Sequence, residues 1–247
     1  MPGLCAVCRS WGHGRLCAAC LGRFGRPVRR CGGCALALPA AGAAAAAAAA
    51  PSPAPAHRPA GHGPGSWRCG RCLAAGAPVD HAVAVADYAF PWDALLLQFK
   101  FHAALDLAGT LAHRLRLAIA QAAAAVPPPD LVLPVPLTPG RLRERGFNQS
   151  WELARRLGRP ACPRTLRRVR DGPHQLALPE ARRAANVAGA FAVDPARSHR
   201  VAGRHVAVVD DVMTTGATAR AVAAVLREAG AARVSWWVVA RTPRPGG

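Results

Sequence analysis

Acidic residues are scarce in this 247-residue chain: 13 Asp and Glu stand against 32 Lys and Arg, a formal net charge of +19. Lysine is nearly missing too, Lys100 being the single example, so the charge is carried by arginine. Such an imbalance favours polyanionic partners, phosphates or nucleic acid. The joint richness in Ala, Gly, Pro and Arg also points to a compositional bias of the coding DNA, which accounts for part of the basicity without any ligand. Aromatic residues make up only 5% of the chain, six Trp, six Phe and one Tyr. That leaves few stacking platforms for a single-stranded nucleic acid, Phe147 and Trp151 being the candidates.

Long apolar runs are absent as well. No stretch reaches the roughly 18–20 uncharged apolar residues of a membrane-spanning helix. The alanine tract at 43–50 is weakly hydrophobic and runs into Pro51, Pro53 and Pro55. Residues 1–5 show no basic segment followed by an apolar core, so no signal peptide is expected. The chain reads as cytoplasmic, without membrane insertion, and its length suits one sizeable domain plus a small one.

Cysteine, in contrast, is plentiful. Eight of the nine cysteines form four C-x-x-C pairs: Cys5/Cys8, Cys17/Cys20, Cys31/Cys34 and Cys69/Cys72. Two such knuckles converge four thiolates on one tetrahedral ion, so four pairs predict one or two structural zinc ions. Joining the first pair with the second and the third with the fourth is the nearest arrangement; interleaving also fits. A closed four-thiolate shell leaves no position for catalysis, and its usual role is to hold a small domain that lacks a core. A thioredoxin-like redox pair would want one C-x-x-C in a βαβ setting. Gly32, Gly33 and Gly70 suit tight knuckle turns, and Cys162 is left over as a plain thiol. His13, His57 and His62 are spare ligands or solvated loop residues, since eight thiols already fill two sites. Residues 1–76 are therefore expected to form a zinc-binding module, with a flexible Ala/Pro/Gly-rich insertion at 37–66. Residues 77–247 form the main domain.

Within that domain, 79–88 reads as a strand and Pro91-Trp92 opens a helix whose apolar stripe (Leu95, Leu96, Phe99) surrounds Lys100. Lys100 either reaches a site or lies solvated. A second helix covers 105–125, with Leu107, Leu111, Leu115 and Ile119 at helical spacing. A buried strand follows at 131–136, then a basic loop with Arg141, Arg143, Arg145, Gly146 and Asn148, and a helix over 148–157. Arginines crowded after a strand end, beside a glycine turn and a helix start, make an anion-binding loop. The final strand is expected at 234–239.

The most informative stretch is 206–218, Val-Ala-Val-Val-Asp-Asp-Val-Met-Thr-Thr-Gly-Ala-Thr. A short buried strand brings Asp210 and Asp211 to its end. The turn Thr214-Thr215-Gly216-Ala217-Thr218 follows, and then a helix over 218–230. Helix-start amides and threonine hydroxyls receive a phosphate, Gly216 lets the backbone approach, and the carboxylates accept from vicinal sugar hydroxyls.

This stretch resembles the phosphoribosyl pyrophosphate (PRPP) signature of type I phosphoribosyltransferases. Together with Pro134-Val135-Pro136-Leu137, Arg145-Gly146-Phe147-Asn148-Gln149, Gln175, Arg183, Asn186-Val187 and the four C-x-x-C pairs, it is similar to the ComF family, the competence-associated ComFC/GntX proteins. Asp87-Tyr88 and Gln98-Phe99-Lys100-Phe101 fit the same family. The resemblance implies a mostly parallel α/β sheet fronted by a double zinc ribbon, and a PRPP-binding enzyme that transfers phosphoribosyl to an acceptor which no residue names. It implies Mg²⁺ bound with PRPP, Thr214–Thr218 on the 5-phosphate, and Asp210 and Asp211 on the ribose hydroxyls and the developing ring charge. The loop of Arg141, Arg145, Gly146 and Asn148 would meet the pyrophosphate. Residues 164–191, with Arg168, Arg170, Gln175 and Arg183, would fold over it as a mobile lid, although Gly172 stands where relatives often carry a Thr. The family also implies a role with incoming DNA or in nucleotide salvage. A non-catalytic PRPP-responsive or single-stranded-DNA-binding protein of the competence machinery is the alternative.

Overall fold

The computed structural model describes residues 2–39, 67–123, 126–170 and 189–244. His57, His62, Gln175, Arg183 and most of the 37–66 insertion lie outside the described residues.

The cysteine-rich residues carry little regular structure. Strands β1 (Pro2–Leu4) and β2 (Trp11–His13) pair antiparallel, α1 (Ala18–Phe24) follows, and α2 (Gly70–Ala74) comes after the 40–66 segment. Each short helix is preceded at its cap position by a cysteine, Cys17 and Cys69. The other two pairs sit in turns. There the residue after the second cysteine, Arg9 or Ala35, has a left-handed backbone with φ of 62° and 57°. Each donates its N–H to the carbonyl of the first cysteine, at 3.0 and 2.7 Å. Gly32 and Gly33 lie in the second of these turns, where Gly33 also permits a close approach: a Cβ on it would lie 2.6 Å from the Cβ of Ala77.

The rest is a layered α/β unit. In chain order it comprises β3 (His81–Asp87), α3 (Trp92–Phe101), α4 (Leu107–Ala122), β4 (Leu131–Pro134), α5 (Pro139–Arg145) and α6 (Gln149–Ala154). Then come β5 (Leu166–Arg168), β6 (Phe191–Val193), β7 (His205–Met213), α7 (Ala217–Glu228) and β8 (Arg233–Arg241). Strands β3-β8-β7-β4 form one sheet in that order, every pair parallel. A sheet covered on both faces needs unbroken apolar strands, and 206–209 and 236–240 supply them. On one face, Ala219, Val222, Ala223 and Leu226 of α7 pack over Val206, Val208, Val234 and Trp236. On the other, Leu95, Leu96 and Phe99 of α3, Leu107, Leu111 and Leu115 of α4, and Leu153 of α6 cover Ala207, Val209, Trp237 and Val239. Fully burying each such leucine is worth roughly 1.5–3 kcal/mol.

The cysteine module joins both layers instead of hanging from the end. Cys31, Cys34, Cys69 and Cys72 belong to the α7-side core, while Cys5 and Cys20 belong to the α3/α4 side. Trp92 Nε1 donates to Phe24 O at 2.9 Å and Arg114 Nη2 to Gly25 O at 2.9 Å, tying the first half down. Among the described residues no helix is long and apolar enough to cross a membrane.

Three local expectations change. Strand β7 continues through the aspartate pair to Met213, because β8 pairs with it as far as Met213↔Arg241. Arg141, Arg143 and Arg145 lie on helix α5 and not in a loop: Thr138 caps it, Pro139 occupies its first turn and Gly146 (φ 74°) ends it. The two described ends of the expected lid, β5 and β6, are an antiparallel pair joining Leu166–Arg168 to Phe191–Val193.

Candidate functional site

The carboxyl ends of β4 and β7 and the starts of α6 and α7 converge on the aspartate pair. Asp211 is 3% exposed, and its Oδ2 has no hydrogen-bond donor of its own. The Lys100 ammonium lies 2.6 Å from that oxygen, an ion pair held by charge, not a directed hydrogen bond. Helix α3 delivers Lys100 from its last turn, so the lysine whose place the sequence left open reaches the site. Burial lowers the Lys100 pKa, and the neighbouring Arg145 lowers it further against the pull of Asp210.

Asp210 is half-buried. Its Oδ1 accepts from Ser150 Oγ at 3.1 Å and from the Asp211 N–H at 2.9 Å. Desolvation pushes its pKa up to about 6, even though Lys100, the Ser150 hydroxyl, Arg168 and Arg145 all favour the ionised form. A carboxylate held this far from water among cations is poised to meet a hydroxyl or a cation brought by a ligand.

Asn148, expected in the anion-binding loop, is the N-cap of α6. Its Oδ1 accepts from the Ser150 and Trp151 amides at 2.9 and 3.1 Å, and its Nδ2 donates to Val135 O at 3.0 Å. It caps α6, pins that helix to the end of β4 and so aims Ser150 at Asp210. Arg145 donates to Gln149 Oε1 at 3.2 Å and stacks over Phe101 at 5.0 Å. Arg141 is one turn away. Arg168, on β5, lies over Phe191 and is near enough to favour the Asp210 carboxylate, while Arg170 is exposed.

The turn 214–216 leads into α7. Gly216 has φ 86°, a left-handed value that L side chains adopt at a cost of roughly 1–2 kcal/mol. Thr215 Oγ1 accepts from the Ala217 N–H at 3.3 Å, and the first turn of α7 presents amides towards the loop. The cleft beneath is small, about 30 Å³. A Cβ at 216 would also meet Met213 Cε at 2.8 Å and Pro78 Cγ at 3.6 Å. Gly216→Ala is therefore expected to lower stability by about 1–2 kcal/mol in urea melts, the methionine end yielding more easily than the backbone.

A larger cleft, about 390 Å³, runs along the outer edge of β3 towards Trp67 and α4. Neither a carboxylate nor a hydroxyl side chain lines it, so it lacks the chemistry gathered at Asp210.

The eight paired cysteines form two sets, Cys5/Cys8/Cys17/Cys20 and Cys31/Cys34/Cys69/Cys72, with the thiol sulfurs of each within 4.8 Å of one another. This is the sequential arrangement. Cys8 and Cys17 have their sulfurs 3.6 Å apart, and Cys34 and Cys69 3.7 Å. Four sulfurs about 2.3 Å from a tetrahedral zinc lie about 3.8 Å apart, so both sets fit that ion. Backbone amides already point at the sulfurs: Cys17 N to Cys5 Sγ at 3.4 Å and Cys69 N to Cys31 Sγ at 3.2 Å. Cys162 is separate and buried, accepting from Thr165 Oγ1 at 3.1 Å.

Ser150 and Arg241 carry no site signal in the sequence. Ser150 carries no motif of its own; it matters because Asn148 positions it. Arg241 follows an ordinary strand pattern, and only its contacts across the fold mark it.

Comparison with known proteins agrees with this arrangement. A phosphoribosyl transferase domain model matches residues 145–246, the span that holds the aspartate pair, the threonine turn and α7. DNA utilization protein YhgH of Salmonella typhi is 34% identical over 251 residues, covering 98% of both chains. The protein of that name from Escherichia coli K12 matches at 34% with the same coverage. Competence protein F of Haemophilus influenzae is 33% identical over 179 residues, 70% of this chain and 78% of that one. With the two YhgH relatives matched nearly end to end, and a parallel sheet carrying a phosphoribosyl transferase domain beside two cysteine quartets, the chain belongs to the ComF family.

Proposed function

We propose that this protein binds PRPP at the Asp210–Thr218 site and transfers its phosphoribosyl group to an acceptor. The observation that carries the reading is the meeting of two carboxylates, a left-handed threonine turn and two cations, Lys100 and Arg145, at one end of the sheet. Open parallel sheets bind ligands at that end. In this reading the turn 214–218 takes the 5-phosphate, while Asp210 and Asp211 accept from the ribose hydroxyls and favour positive charge on the ring. Arg145 and its neighbours on α5 stabilise the leaving pyrophosphate through preorganised charge. The all-oxygen donors Asp210 and Asp211 suit a hard divalent cation such as Mg²⁺, which would neutralise part of the pyrophosphate charge when bound with the ligand. Arg168 and Arg170, with Gln175 and Arg183, are proposed to close over it. Zinc in the two cysteine sets is proposed to be structural. The acceptor would be identified by pyrophosphate release in a screen of bases and amines with PRPP and Mg²⁺. No release with any acceptor, from protein that binds PRPP, would remove the transfer step and leave a PRPP-responsive binder.

A second reading has its own support. The net charge of +19 and the names of the relatives, DNA utilization protein and competence protein, favour contact with DNA. Binding of single-stranded DNA through the arginines, with a steep loss of affinity as salt rises and no competition by PRPP, would separate phosphate tracking from the sugar-phosphate site.

A further inference from the structure

Arg241 is the last residue of β8 and is 7% exposed. Its Nε donates to Cys34 O at 2.8 Å, and its Nη1 donates to Met213 O at 3.1 Å, to Thr214 O, and to Thr242 O at 2.7 Å. One guanidinium thus bridges the second cysteine quartet and the first residues of the threonine turn. The acceptors recorded among the described residues are all carbonyl oxygens, so this fork positions backbone and makes no ion pair.

A second set of contacts braces the turn from the same side. Pro78, six residues beyond Cys72, lies 3.6 Å from where a Cβ on Gly216 would stand. Arg220 of α7 donates to Gly76 O at 3.3 Å. Further along, Arg244 Nη2 reaches Cys69 Sγ at 3.8 Å. The first quartet has no comparable link to the turn among the described residues. Its contacts run to α3 and α4 through Phe24 O, Gly25 O and the Arg15–Asp106 pair at 3.1 Å.

We propose that the two cysteine sites are not equivalent: the second positions the threonine turn through Arg241, so its occupancy by metal sets how well the turn holds a phosphate. The first site holds only the scaffold on the α3/α4 side. Four thiolates around a divalent zinc would carry a net charge of −2, a counter-charge for Arg244, whose Nη2 lies 3.8 Å from Cys69 Sγ. A knuckle closed on metal also fixes the Cys34 carbonyl that Arg241 needs. Loss of metal from this site frees the carbonyl, and Arg241 can no longer hold Met213 and Thr214 in one place. Arg241 is a positioning residue and touches no ligand. The inference rests on the PRPP reading only for its affinity arm.

Four variants of the full-length protein test it: Cys20→Ser in the first quartet, Cys72→Ser in the second, and Arg241→Gln and Arg241→Lys at the bridge. Each would be measured for zinc per chain, for amide hydrogen exchange over residues 213–217 without ligand, and for PRPP affinity by calorimetry. Cys72→Ser should lose one zinc, speed exchange in the turn by about tenfold and weaken PRPP by about tenfold. Cys20→Ser should also lose one zinc, yet leave both turn readouts within about twofold of the parent. Arg241→Gln should keep both zinc ions and still show the faster exchange, with Arg241→Lys intermediate because a point charge cannot make the fork. If Cys72→Ser does not fold, Arg241→Gln decides alone. Equal effects of Cys20→Ser and Cys72→Ser on the turn, or unchanged exchange in Arg241→Gln, would overturn the proposal. Should the parent protein fail to bind PRPP, the functional reading fails while the exchange arms still decide this one.

Discussion

Asp210→Asn is expected to abolish PRPP binding while making the free protein more stable at neutral pH. The carboxyl has its pKa raised to about 6 from an ordinary 3.8, chiefly by desolvation. Between those values the native state binds more protons than the unfolded chain. The group's contribution to stability therefore falls as pH rises through this window, and above about pH 6 the native state carries the full cost of a desolvated charge. At roughly 1.4 kcal/mol per unit, discounted for a side chain that is only half-buried, that cost is about 1–3 kcal/mol. Asparagine keeps an acceptor for Ser150 and for the Asp211 amide, so the hydrogen bonds survive and the charge goes. Urea melts at pH 7.5 should show the gain, and the gain should vanish near pH 4. Binding by the parent protein should weaken below about pH 6 as Asp210 protonates. A destabilised variant at pH 7.5, or one that still binds, would contradict the role given to this carboxylate. A functional group that weakens its own fold is a familiar trade between stability and activity.

Lys100→Met is expected to have the opposite effect on the fold. Lys100 and Asp211 pair at 2.6 Å with side-chain exposures of 22% and 4%. Removing the lysine leaves Asp211 buried with an oxygen that has no other partner, a situation that costs about 3–5 kcal/mol for well-buried pairs. The partial exposure of Lys100 puts the expectation at the lower end, about 3 kcal/mol. Replacing both partners, Lys100→Met with Asp211→Asn, should recover much of it, and the double-mutant cycle in urea measures the coupling directly. If Lys100→Met proves neutral, the contact carries no structural weight. Met at this position would also remove one of the cations that draw the Asp210 pKa down, so its titration should move higher still.

Local chemistry explains what could be read in advance. The strand, turn and helix of 206–230 are contiguous, and each residue's role follows from its neighbours. The four C-x-x-C pairs were likewise plain in short-range spacing, but their sequential grouping into quartets was one of two arrangements the sequence allowed, and the fold settles it. Helix α5 was legible but unread: Thr138, Pro139 and Gly146 are a cap, a first-turn proline and a left-handed stop. The length of β7 was not legible, because its last residues are strand only through pairing with β8. Nor was the part played by Ser150, Lys100 or Arg241, which come together across 60, 111 and 207 positions of chain to Asp210, Asp211 and Cys34. The left-handed positions in the knuckles, Arg9 and Ala35, were not legible either, because neither is a glycine and only the turn's hydrogen bond to the first cysteine sets their backbone.

The measurement that bears most directly on the central claim is a calorimetric titration of the zinc-replete protein with PRPP, with and without Mg²⁺, beside the Asp210→Asn, Asp211→Asn double variant. Saturable, Mg²⁺-dependent binding by the parent and none by a folded variant is the predicted result. No binding by the folded, zinc-replete parent would contradict the sugar-phosphate site and make nucleic acid the leading ligand.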